Sequence, residues 1–87
     1  INDGAAAAVL MGSAALKSSG AKPLARIVAQ AGHAQDPKWF TTAPVGAIKK
    51  AVDQAGLKIS DIDLFEINEA FAAVAMVAMK DLGLAPD

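Results

Sequence analysis

The run Asp63-Leu64-Phe65-Glu66-Ile67-Asn68-Glu69-Ala70-Phe71-Ala72-Ala73 decides how this chain is read. Residues 64–67 are apolar except for Glu66 and lead to Asn68, a residue that disfavours continuing a strand and favours capping a helix. From Glu69 onward good helix formers dominate, and Lys80, Asp81 and Gly83 supply a polar last turn and a stop. The pattern predicts a strand, a sharp turn and a helix from about Glu69 to about Leu82. Asn68 then sits at the junction of two rigid elements, which fix where its side chain points.

The predicted helix is apolar all the way round: residues 70–79 cover every direction about the axis. Such a helix needs cover on all sides, yet this run is well short of the roughly 20 residues that span a bilayer. An 87-residue chain has little material with which to surround one of its own helices, so the covering surfaces are expected outside this sequence.

Composition supports a folded chain, with 54% hydrophobic and 20% charged residues. A net charge of −1 gives no electrostatic reason for a nucleic-acid or anionic-membrane partner, and neither is expected. Without cysteine there is no disulfide framework, thiolate nucleophile or cysteine metal site. No basic leader precedes the first apolar run, so a cytoplasmic location is expected. Ile1 and Pro86-Asp87 are read as cut ends, those of an internal fragment.

Taken in order, Asp3-Gly4 is a turn pair, and residues 5–11 form an uncharged run that periodicity cannot assign to helix or strand. Ser13 is placed as the cap of a short helix over residues 14–19, closed by Gly20, before Lys22-Pro23 breaks the chain. Residues 24–31 read as a second strand. Residues 32–42 are the least regular, with a turn at Asp36-Pro37. Pro44 opens a helix carrying Val45, Ile48, Val52 and Ala55 on one face and ending at Gly56. The whole is an α/β pattern.

Asn68 carries the sharpest chemistry: an amide at a strand-to-helix turn donates a hydrogen bond, directly or through water, to an oxyanion. The competing reading is a plain helix cap, and the residue types alone leave both open. Asp61, Asp63, Glu66 and Glu69 read as solvated ends of elements rather than metal ligands, with Glu69 favoured by the helix dipole. His33 is the single histidine and reads as a surface or interface residue. Trp39-Phe40 reads as a loop anchored by aromatic burial, with a pocket wall as the alternative. Met76 and Met79 are core filler, and no phosphate-cradling glycine pattern is present.

Asn68-Glu69-Ala70-Phe71-Ala72 after an acidic, apolar strand resembles the Asn-Glu-Ala-Phe motif of thiolases, the acetyl-CoA acetyltransferases. Residues 2–7, residues 22–28, Asp36-Pro37, Ala43-Pro44-Val45 with Lys50-Ala51, and Ala55-Gly56-Leu57 are also similar to thiolase segments, in thiolase order. The resemblance covers nearly the whole chain. It implies a fold of two similar α/β halves, each with a mixed five-stranded sheet, packed with buried helices between them. Residues 1–35 are then the end of the first half and residues 36–87 the start of the second, and residues 5–11 become a strand. It also implies an enzyme of fatty acid metabolism that joins two acetyl-CoA by Claisen condensation, or cleaves a 3-ketoacyl-CoA in reverse, through an acyl-cysteine. No resident cofactor or metal is implied, coenzyme A thioester being the substrate, and a homo-oligomer, dimer or tetramer, is.

By the same resemblance, Asn68 matches the asparagine that holds a water in the oxyanion hole. Phe71, with Ala70 beside it, matches the part of the motif that meets the thioester and pantetheine. The family's nucleophilic cysteine lies upstream of this sequence, and its Gly-His-Pro histidine and second cysteine lie downstream; His33 matches neither. Ala29 stands where many bacterial members have serine, and residues 32–35 and 39–42 also depart from the commonest pattern. The fragment alone is therefore expected to be inactive. The alternative from another class is a self-contained interaction module whose apolar helix docks into a partner groove.

Overall fold

A computed structural model describes residues 3–85. Its helices are α1 (Ser13–Ser19), α2 (Ala43–Gln54) and α3 (Ala72–Leu82), with short 3-10 helices at Pro37–Thr42 and Ile59–Asp61. α2 and α3 pack against each other, and both pack against Pro37–Thr42. The core lies on this seam: Val45 from α2, with Val74 and Ala78 one turn apart on α3, are buried. Closing Val74 off from water contributes about 1.5 kcal/mol or more.

Chain punctuation explains the helix ends. Pro44 occupies the first turn of α2, where its missing N–H costs nothing, and α2 closes through Gly56 at φ +69 with the Gly56 N–H donating to the Asp53 carbonyl. α3 closes in the same way at Gly83, φ +70, with the Leu84 N–H reaching the Met79 carbonyl at 2.8 Å. α1 ends on Gly20 as expected, but its cap is Gly12 and Ser13 is its first helical residue.

Three expectations are corrected. Residues 5–11, 24–31 and 64–67 form no strand, and no sheet is present among the described residues. A strand exists only beside a neighbour about 4.8 Å away. These segments have no such neighbour here and stand open, with Val9 84%, Leu24 105% and Leu64 87% exposed. Second, α3 begins at Ala72 rather than near Glu69, so Asn68 is not its cap. Phe71, in extended conformation, holds that position without a side-chain hydrogen bond, and Glu69 lies outside the first turn. Third, Met76, read as core filler, is 66% exposed, on the side of α3 away from the buried Val74 and Ala78; that these residues leave the helix partly uncovered is as expected.

The carboxylate reading of Asp61 resolves into local structure, because its Oδ2 accepts the Lys58 N–H at 2.8 Å and closes the turn at Ile59–Asp61. That turn was not legible as a helix. Residues 59–69 then run beside α3 across a groove of about 920 Å³, into which Met79 and Leu82 face Ile62, Leu64 and Phe65.

Candidate functional site

Asn68 ends the extended segment at a tight turn, in which its carbonyl accepts the Ala70 N–H at 3.0 Å; the Phe71 carbonyl then accepts the Val74 N–H at 2.9 Å and starts α3. With the cap position taken by Phe71, the Asn68 side chain is exposed and lines a cavity of about 330 Å³. Ala70 and Val74 line it from the same side, Ile67 and Glu66 from the extended segment, and Pro44, Ala47, Ile48 and Phe40 from across the fold.

Phe40 is brought there by the 3-10 segment. Asp36 anchors that turn, its side chain accepting the Lys38 N–H at 3.1 Å and its carbonyl the Trp39 N–H at 2.8 Å, while Pro37 presets the first residue. The nearby Lys38–Asp36 ion pair is exposed on both partners and adds little. Trp39 breaks the helical path at φ −110, ψ 16, and Phe40 turns onto the Phe71 ring, edge to face with centroids 6.1 Å apart. Phe71 thus backs the cavity through Phe40 instead of lining it. Asn68, Ala70 and Phe71 meet at one place, with a predominantly apolar chamber in front of an amide.

Phe40, Ala47 and Ile48 were not assigned to this site from sequence. The aromatic pair Trp39-Phe40 was a signal, but which ring would face Asn68, 28 residues on from Phe40, depends on the packing of α2 against α3. The larger groove beside α3 is lined by Ser60, Asp63, Glu66 and Glu69 but by no amide or histidine side chain, and Asn68 lines only the smaller cavity. Among the described residues no three carboxylates, histidines or cysteines are placed to hold a metal ion. None of their helices is long and apolar enough to cross a membrane.

The family model described as the thiolase C-terminal domain matches residues 21–87. This chain belongs to the thiolase family. The whole chain aligns with an acetyl-CoA acetyltransferase of Schizosaccharomyces pombe at 52% identity, covering 22% of that protein. A cytosolic acetyl-CoA acetyltransferase of Rattus norvegicus is 47% identical over all 87 residues, again 22% of its length. The crystal structure of human mitochondrial 3-ketoacyl-CoA thiolase superimposes with a TM-score of 0.79 at 40% identity, over 84% of this chain and 18% of that one. The thiolase chain therefore spans about a fifth of the relatives it matches.

Proposed function

We propose that this thiolase chain is the portion of an acetyl-CoA acetyltransferase that supplies the oxyanion-stabilising amide and the acyl chamber, and that the complete enzyme condenses two acetyl-CoA or thiolyses a 3-ketoacyl-CoA. The observation that carries the reading is the placement of Asn68 at the wall of a cavity otherwise built from Phe40, Pro44, Ala47, Ile48, Ile67, Ala70 and Val74, with Glu66 the one charged residue among them. An amide freed from helix capping has its N–H donors available for an oxyanion, directly or through water.

In condensation, an acyl group first passes to a thiol and coenzyme A leaves. A second acetyl-CoA then loses a proton from its α carbon to a base, and negative charge moves to the thioester oxygen. The Asn68 amide stabilises that charge while the new C–C bond forms and the thiol is released. Ala70 and Phe71 shape the approach of the thioester, Phe71 through its contact with Phe40. The chain contains no cysteine, so nucleophile and base come from elsewhere in the enzyme, and the 87 residues alone are inactive. No resident cofactor or metal takes part in this scheme. We place residues 1–35 in the first thiolase half and 36–87 in the second, and the enzyme in the cytoplasm as a homo-oligomer.

The test is Asn68→Ala in an enzyme of full family length carrying this sequence. Loss of one such donor lowers kcat on the order of a hundredfold or more. Near-normal turnover would refute the assignment.

A further inference from the structure

We propose that His33, Gln35 and Gly46 form a latch that sets where Phe40 stands in the cavity wall, and thereby the length of acyl group the cavity accepts. The proposal rests on the reading of that cavity as the acyl chamber.

The latch begins on α2. Gly46 leaves a notch in which the His33 ring sits: a Cβ at that position would lie 2.5 Å from the ring Cδ2. One helical turn further along α2, the Lys50 ammonium donates to the Gly32 carbonyl at 3.4 Å, so two points on one side of α2 hold residues 32–33. From there the His33 Nε2 lies 3.1 Å from the Gln35 Oε1. The other end of the Gln35 amide, Nε2, donates to the Trp39 carbonyl and to the Thr42 hydroxyl, which itself donates to the same carbonyl at 2.9 Å.

This network orients the Gln35 amide. With the Gln35 nitrogen committed to Trp39 and Thr42, its oxygen faces the histidine and accepts from the His33 Nε2–H. Nδ1 is buried without a hydrogen-bond partner. A ring kept only for packing would not bury a lone pair at a loss, since an apolar side chain fills a notch without that cost. The histidine is present for its Nε2–H, which orients Gln35. Gln35 in turn grips the one residue, Trp39, whose backbone leaves the helical path, and the next residue is Phe40. A shift at Trp39 therefore moves the aromatic wall opposite Asn68 and Ala70. These are positioning residues, acting on the site through Phe40.

Three variants test the latch. Gln35→Glu keeps the size of the side chain but turns the donor facing the Trp39 carbonyl into an acceptor. Gly46→Ala drives the ring from its notch, and His33→Ala/Gly46→Ala refills the notch without a clash, guarding against simple unfolding. Trp39 is the single tryptophan of the chain, so its emission in an enzyme of full family length carrying no other tryptophan reports the loop without any assay of turnover. Trp39 is already 58% exposed, so all three variants are expected to change its emission intensity and its quenching by iodide rather than its wavelength; unchanged emission and quenching in Gln35→Glu and the double variant overturn the latch. In an enzyme of full family length, the same variants are expected to change by about tenfold the ratio of kcat/KM between substrates differing by one methylene, with kcat on the shortest substrate largely kept. An unchanged ratio with changed emission overturns the link to acyl length, whereas absence of turnover in the unmutated enzyme defeats the proposed function and leaves the emission result standing.

Discussion

Asn68 shows how a single residue type carries two competing meanings until backbone geometry separates them. Asparagine before a helical run is what a cap looks like, and nothing in residues 63–73 distinguishes a helix that starts at Glu69 from one that starts at Ala72. The turn from the Asn68 carbonyl to the Ala70 N–H takes up the residues between, so the cap position falls on Phe71. Losing a real asparagine cap costs about 1 kcal/mol. Asn68→Ala is therefore expected to leave the thermal unfolding midpoint of a polypeptide carrying this chain within error of the parent's, and a drop of several degrees would restore the capping role. Gly83 makes the opposite prediction. At φ +70 a side chain is strained, and Gly83→Ala is expected to destabilise by roughly 1 kcal/mol or more, measured by denaturant unfolding.

At the scale of elements, helix ends marked by special backbone conformations were legible and those without such a mark were not. Gly20, Gly56 and Gly83 announced three C-termini because only glycine takes the left-handed region without strain, and Pro44 announced the first turn of α2. The strands failed for a different reason: an apolar run says that a segment wants a ladder, and the described residues bring no second extended segment alongside to form one. The cavity was half legible. Asn68, Ala70 and Phe71 were named from the motif, while Phe40, Ala47 and Ile48 join them only because α2 crosses α3. That crossing is closely packed where Ala78 is fully buried, and Ala78→Leu is expected to cost about 1–3 kcal/mol by overpacking. A neutral outcome in denaturant titration would show that the seam is looser than the structure has it.

As a whole molecule the chain is far from closed. A compact protein of 8.8 kDa exposes about 4,800 Å² by the usual scaling, whereas this one exposes 7514 Å². Its radius of gyration is 15.9 Å, against about 12 Å for a compact domain of this length. Much of the excess is apolar: Val9, Leu10, Leu24, Ile27, Leu64 and Met76 all face outward, and exposed apolar surface of this kind favours association. Met76→Lys is therefore expected to be tolerated in this chain alone and to destabilise an enzyme of full family length if further chain covers the exposed side of α3; equal effects in both would argue against such cover. With only Val45, Val74 and Ala78 buried among the described hydrophobic residues, these residues do not close a core by themselves. Light scattering on the purified 87-residue chain, with a hydrophobic dye added in parallel, tests that most directly. The predicted result is self-association or strong dye binding, and a monodisperse monomer that binds no dye would contradict it.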